Sequence, residues 1–392
     1  MNKRSLYVFI VLSLISVSSF AAKERVVRFQ NHVRLGYDDN IYGTEDKTGS
    51  GFITDIINLS GKVNFSSRTD ALVYWQPEFN YRFDANPEMV VYQDLYGRLN
   101  HALSQRAFLT LSDRFRYQQR EGQTGLANGG TDDFNQNYIE NDLQGALDYT
   151  LNTVSYLKLG AGYDFRTWED SDYGGGVRNN DFDRINLNGT YIRQLKPNRT
   201  QGTLGIQYTD LSYAGSRGGY ESTSFIVGVD QNFNPDVTGF GRVGFSMNSI
   251  DGGAGGTSND SSSPYLQTGL EVNPTSRTSF NGTLGYSMQR SDNSVYNAQE
   301  QFSFGLGARQ DLTAKISLAT ALSFIHSNYD SKFSRTGLLP DATDDYFTLS
   351  LRCSYQINRN NFVEAGYLFA NRVSDFTDWN RNRFDVAWRL RL

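Results

Sequence analysis

Apolar and polar residues alternate with a period of two through nearly all of this 392-residue chain, and no stretch shows the spacing of an amphipathic helix. Leu157, Leu159, Ala161, Tyr163 and Phe165 fall on one face of an extended segment. Lys158, Gly160, Gly162 and Asp164 fall on the other. Phe347, Leu349, Leu351, Cys353 and Tyr355 likewise alternate with Thr348, Ser350, Arg352 and Ser354. A strand with this pattern is buried on one face only, because successive side chains point to opposite sides of a sheet.

Eighteen such segments can be marked, centred near Val33, Leu59, Trp75, Leu95, Leu111, Leu143, Leu159, Leu187, Ile206, Val227, Val243, Leu270, Leu284, Leu306, Leu318, Leu351, Tyr367 and Val386. Their connections alternate in length. Tight turns, such as 66–70, 152–154 and 196–199, are followed by polar loops, the longest at 38–50, 121–133, 170–180, 251–263 and 329–344. An even strand number with this long/short phase is the pattern of an outer-membrane barrel, with short periplasmic turns and longer external loops. The expected fold is therefore all-β: a transmembrane, antiparallel, up-and-down barrel of about 18 strands without a plug domain, both termini periplasmic. A soluble sandwich has no need to hold that phase through so many strands.

The address agrees. Lys3 and Arg4 precede an apolar run from Leu6 to Ile15, and Ser19 and Ala21 supply small residues at a cleavage site. Residues 1–21 read as a signal peptide and 22–392 as the barrel. The last segment carries Phe384, Val386, Trp388, Leu390 and Leu392 on one face. This resembles the C-terminal signal read by the barrel-insertion machinery, with Leu392 in place of the usual aromatic residue. Composition supports the same class. Aromatic residues make up 14% of the chain, yet they alternate with Ser, Thr, Asn, Gln and Gly rather than with aliphatics. The formal net charge of −5, with no basic run, argues against nucleic acid as a partner. The outer-membrane lipid and lipopolysaccharide are the expected surroundings.

Alternation also names the inward set. Among the tyrosines it places Tyr74, Tyr92, Tyr96 and Tyr138 inside, with Tyr265 and Tyr346. Among charged residues it places Glu78, Arg82, Arg98, Arg114, Arg116, Lys158, Arg184, Arg242 and Arg352 inside, together with Arg34 and Arg383. The inward set is mixed and slightly basic although the chain is acidic. Tyrosine faces with guanidinium and carboxylate groups suit a hydrated path for sugars, and equally a plain charged wall. An eighteen-stranded barrel is wide enough for an aqueous channel, and no loop has the length of a deep constriction loop, although 121–133 is long enough to fold inward. The expectation is thus a wide path without a narrow eyelet.

Catalytic chemistry is not indicated. His32 and His101 fall near the periplasmic end and His326 near the outer end, so no Ser/His/acid set is apparent, and no Cys/His pair has zinc spacing. No cofactor or metal is expected, and Cys353 reads as a small apolar outward residue.

The first strand ends Gly36-Tyr37-Asp38-Asp39-Asn40-Ile41-Tyr42. This resembles the opening motif of the β-barrel porin 2 family, whose Tyr/Phe/Arg-rich strands and similar length also match. The resemblance implies an outer-membrane step in exopolysaccharide export, with polysaccharide as the transported substrate and a periplasmic or inner-membrane export machinery as partner. The rival expectations are a general or sugar-preferring diffusion porin and a structural barrel whose loops bind a surface partner.

Overall fold

In the computed structural model, residues 24–85, 88–119, 137–168, 181–214, 218–251, 258–291, 296–333 and 339–392 are described. The signal-peptide segment and the loop at 121–133 lie outside them. The strands are β1 (Glu24–Asp38), β2 (Ser50–Ser66), β3 (Thr69–Arg82), β4 (Met89–Ala102), β5 (Ala107–Gln119), β6 (Asn137–Asn152), β7 (Ser155–Trp168), β8 (Phe182–Lys196) and β9 (Thr200–Tyr213). They continue with β10 (Tyr220–Asn234), β11 (Val237–Ile250), β12 (Asn259–Thr275), β13 (Thr278–Arg290), β14 (Ala298–Asp311), β15 (Ile316–Tyr329), β16 (Ala342–Gln356), β17 (Asn361–Ser374) and β18 (Trp379–Arg391). Each contains one of the eighteen centres read from the alternation.

Every strand pairs antiparallel with its sequence neighbours, and β1 closes on β18 through a register running from Gln30↔Arg391 to Asp38↔Arg383. Closure leaves no free edge, so backbone donors and acceptors are satisfied within the wall. The even-to-odd and odd-to-even connections lie at opposite ends. At one end the strands meet in turns such as 67–68, 153–154 and 235–236, and both the first and last strand terminate there. Register shifts at Asn64/Ser66, Thr150/Asn152, Gln194/Lys196, Asn232/Asn234 and Val272/Thr275 cluster at this turn end. An extra residue beside a tight turn adds the local twist that lets a hairpin close. The longer connections all lie at the opposite, loop end.

The two faces of the wall separate as the period predicts. Val73, Trp75, Leu111, Leu143, Leu159, Leu187, Val227, Val243 and Val386 point outward and are exposed. A continuous band of exposed aliphatic and aromatic residues is matched to hydrocarbon rather than water. Cys353 is on this outward face, opposite Leu318 and Ala365. The buried side chains are on the other face and are largely polar: Thr54, Asp94, Glu140, Asp164, Ser246 and Glu364 are each below a tenth exposed.

Candidate functional site

The site is the inward wall, and the register decides which of its residues meet. One hydrogen-bonded line runs Ser60, Tyr74, Tyr96, Arg114, Asp142, Asp164 and Arg184 across β2 to β8. The line shifts from the turn half of β2 toward the loop half of β8, as strand tilt in a barrel requires. Along it, Tyr74 stacks on Tyr96 with ring centroids 5.3 Å apart and donates to Asp94 Oδ2 at 3.2 Å. Arg114 grips the same carboxylate through Nε at 2.9 Å and Nη2 at 2.6 Å. Glu140, buried on β6, accepts from Arg116 and, at 3.0 Å, from Arg166 Nε. The Arg166 guanidinium also lies 4.4 Å from the centroid of Tyr138, whose hydroxyl donates to Gln118 at 2.9 Å. Arg184 donates to Asp164 at 2.8 Å and Lys158 stands 3.9 Å from Asp148.

These residues form linked ion pairs that brace adjacent strands, the plainer of the two roles read from the sequence. Arg242 is similar: it reaches Asp230 at 2.9 Å and stacks over Phe240 at 4.5 Å. Glu78 and Tyr92 face each other across β3 and β4, Arg82 is buried near the loop end, and Arg98 is exposed toward the turn end. The strand registers put these residues, with Tyr265 and Tyr346, on the same face as the buried Asp94, Glu140 and Asp164.

A different balance holds on β16, β17, β18 and β1. Here Arg34, Arg352, Arg383 and Arg389 share the wall with two carboxylates, Glu364 and Asp385. Glu364 is 2.8 Å from Arg389, 3.3 Å from Arg352 and 3.4 Å from His32. Arg352 also meets Asp385 through Nη1 and Nη2 at 3.2 Å each. Glycine makes this possible: a Cβ on Gly366 would come within 2.6 Å of Asp385 Oδ1 and 2.7 Å of Arg352 Nη2. Arg383 has no carboxylate at ion-pair distance among the described residues. Its guanidinium rests 4.1 Å from the centroid of Phe52, whose ring lies on Gly36, where a Cβ would meet Phe52 Cζ at 2.5 Å. Arg34 also lacks a carboxylate at that distance; it touches His32 Nδ1 at 3.3 Å and faces the charges of Arg352, Arg383, Asp385 and Glu78. Two guanidinium groups therefore stand on this wall without a direct ion pair, in a stretch where arginines outnumber carboxylates. Nearer the loop end Arg381 and Arg372 are ion-paired, Arg381 on Asp38 through Nε at 2.9 and 2.8 Å and Arg372 on Asp344 at 2.9 Å.

The mouth at the loop end corrects one expectation. β12 follows β13 only as far as Leu266↔Tyr286, while β12 continues against β11 to Asn259 and β13 continues against β14 to Arg290. Above that fork the β13–β14 hairpin leaves β12, while β14 stays paired with β15 as far as Glu300↔Asn328. Met288 and Ala298, on the face that points outward lower down, pack against inward residues of β8 to β11: Phe182, Leu211, Tyr220 and Ile250. Tyr220 Oη donates to the Met288 carbonyl at 3.3 Å, and Asn297 Nδ2 donates to the Asp251 carbonyl at 3.0 Å. On the far side Tyr296 packs on Tyr329 and Phe376 and donates to the Pro340 carbonyl at 2.6 Å. The gap left in the rim is bridged by Asn259 Nδ2 donating to the Lys332 carbonyl at 2.6 Å. The described end of the hairpin, Met288 with Tyr296 to Ala298, thus lies across the mouth, and the path is not the unobstructed one that loop length suggested. The constriction needs no long loop, because two strands bend as a unit. The connection beyond Tyr329 adds one turn of 3-10 helix, Ser331–Phe333.

Sequence reading missed this feature and the aromatic platforms under the arginines. The signal for the Phe52 platform was present as Gly36 among inward positions. The hairpin had no such signal, since Met288 and Ala298 continue the outward alternation.

No family model matches the chain, and no curated protein does. Solved structures do. OpdK of Pseudomonas aeruginosa with vanillate matches at 12% identity and a TM-score of 0.53, over 93% of this chain and 99% of that one. OccK2 (OpdF) of the same organism, in complex with glucuronate, matches at 12% and 0.53 over 95% and 97%. OccAB4 of Acinetobacter baumannii matches at 9% and 0.50 over 96% and 100%. The fold of this chain is the closed eighteen-stranded barrel of these outer-membrane proteins, spanned from end to end.

Proposed function

We propose that the protein is an integral outer-membrane channel for passive diffusion of small hydrophilic solutes, and that it favours solutes bearing a carboxylate. The barrel sits in outer-membrane lipid and lipopolysaccharide, with the loop end outside and the turn end, carrying both termini, in the periplasm. The observation that carries the preference is the pair Arg34 and Arg383, positive charge on a polar wall with no carboxylate at ion-pair distance among the described residues. Wall sites of this kind attract an anion without holding it, since each offers one or two bonds, and weak successive contacts are what a conducting path needs. The ligands named with OpdK and OccK2, vanillate and glucuronate, are both small carboxylates. Purified protein in planar bilayers tests this. A zero-current potential of the sign for anion preference under a salt gradient, lowered in Arg34→Ala and Arg383→Ala, is expected. Cation preference in the wild type would sink the reading.

Polysaccharide export is the second reading, favoured by the Gly36 to Tyr42 motif. It requires a polymer-wide path past the Tyr296 and Met288 hairpin and an export machinery on the periplasmic side. A deletion strain that retains polymer in the periplasm would turn the assignment toward it.

A further inference from the structure

The outward band is apolar nearly everywhere, with an exception confined to one sector. On β8 to β16 the described outward carboxylates Asp183, Asp210, Glu221, Asp260, Glu300 and Asp345 all stand within a few residues of the loop-end strand tips. On β1 to β6 two stand inside the band. Asp55 has Ile53 and Ile57 above and below it on its own face, and Asp113 has Leu111 and Phe115. Each is held by one side-chain amide from the neighbouring strand, Asn31 Nδ2 to Asp55 Oδ1 at 2.5 Å and Asn141 Nδ2 to Asp113 Oδ1 at 2.6 Å. A carboxyl group has about four acceptor positions, so one side-chain amide, joined at Asp113 by the Arg114 backbone N–H, leaves about half or more of that capacity unused.

The same sector is notched. Gly61, Val73, Gly97 and Asp113 follow one another on a single hydrogen-bonded line across β2 to β5. A Cβ added at Gly61 or Gly97 would meet nothing within 4 Å. A further amide lies on this face, Gln93, which accepts from Trp75 Nε1 at 2.8 Å. Hydrocarbon gives such groups nothing to bond, and ionisable residues within a membrane are expected to face protein or water. A partner must therefore bring amide donors and carboxyl acceptors to the depth of Asp55 and Asp113, with apolar side chains to enter the notch.

A second copy of this chain meets that demand by symmetry. A two-fold axis along the membrane normal returns every residue to its own depth. It brings a second set of the same groups, Asn31, Asn141, Asp55 and Asp113, to the same depths, and with the axis passing at β4 it sets the glycine notch against its own copy. We propose that the barrel forms a two-fold homodimer through the outward face of β1 to β6. This rests on the membrane-embedded reading of the barrel, not on the solute it conducts.

The test is disulfide capture in phospholipid vesicles, in the full barrel with Cys353→Ser. Gly97→Cys places a thiol in the notch, where the space for it exists. Val243→Cys places one on the outward face of β11 as a control. Copper phenanthroline is expected to capture Gly97→Cys as a dimer on denaturing gels and to leave Val243→Cys monomeric. Adding Asp113→Leu to Gly97→Cys is expected to lower the dimer yield several-fold. Capture that is equal at both positions, absent at Gly97→Cys, unaffected by Asp113→Leu, or of trimer mass in native mass spectrometry would overturn the homodimer. Vesicle flotation separates the failures: a barrel that does not float with lipid refutes the membrane reading and this inference together, whereas a floating monomer refutes only the latter.

Discussion

If the β13–β14 hairpin closes the mouth by packing, cutting its contact residue should open it. Met288 is 5% exposed and is wedged among Phe182, Leu211, Tyr220 and Ile250. Truncating a buried Met to Ala costs about 2–5 kcal/mol where the cavity cannot collapse. Here one wall of the cavity is a hairpin able to shift, so the low end applies, about 2 kcal/mol. At 1.4 kcal/mol per tenfold, this moves the balance between docked and undocked hairpin by roughly 30-fold. Tyr220→Phe removes the bond to the Met288 carbonyl, which is worth on the order of 1 kcal/mol, a further several-fold. Asn248 still receives Ser222 Oγ at 2.8 Å, so its amide oxygen keeps a donor in that variant. Single-channel recording in planar bilayers reads the outcome. The wild type is expected to dwell in a low-conductance level, and Met288→Ala to spend a far larger share of time in a higher one. Phe280→Ala, on the same strand but outward and 47% exposed, should leave the record unchanged. Identical conductance histograms for wild type and Met288→Ala, in barrels that migrate as folded, would refute the account of the mouth.

Other outcomes follow from particular contacts. Gly366→Val forces the Arg352–Asp385 contact apart and should lower barrel stability by about 1–3 kcal/mol in urea unfolding from vesicles, whereas Gly241→Ala, with nothing within 4 Å of the added Cβ, should not. At roughly 8 Å in water one charge is worth about 0.5 kcal/mol to a passing anion, so Arg383→Ala should change the anion permeability ratio about twofold in dilute salt and less at 1 M. Asp39, beyond the end of β1, latches the first loop to β18: burial alone would raise its carboxyl, but bonds from the Asn382 backbone and side-chain amides at 2.6 and 2.9 Å, and from Lys47 at 3.2 Å, hold it below its ordinary value. Its contribution is complete above the unfolded carboxylate value near ~3.9 and is lost as pH falls through the lower folded one, so exchange at the Asn382 amide should quicken only below about pH 4, and Asp39→Asn should abolish the pH step. Val243→Lys, in the outward band, should cost about 2–4 kcal/mol in refolding into vesicles, and an unchanged midpoint would deny that this face meets lipid.

Much of the barrel was legible in the chain because its rule is local. Period two assigns each residue of a strand to a face from its neighbours alone, so Tyr74, Arg114, Lys158 and Arg352 could be placed inward without knowledge of any partner. Turn chemistry is equally local, and with an even strand number it brings both termini to one end. Partners are another matter. That Arg114 answers Asp94 and Arg166 answers Glu140 depends on register between strands, which alternation leaves open to any even shift.

Closure and bending lie further from the sequence still. Arg381 is buried on Asp38 although 343 positions separate them, because β18 returns to β1. Among the described residues Arg383 and Arg34 have no direct ion pair for the same reason: closure puts basic strands side by side and leaves too few carboxylates between them. Met288 obeys the outward pattern and is nevertheless buried, since above Tyr286 the hairpin turns across the mouth and exchanges one environment for another. Periodicity along the chain therefore settled which face each side chain takes, and the tertiary structure settled what lies against that face, because contact depends on strand pairing and curvature that no single strand encodes.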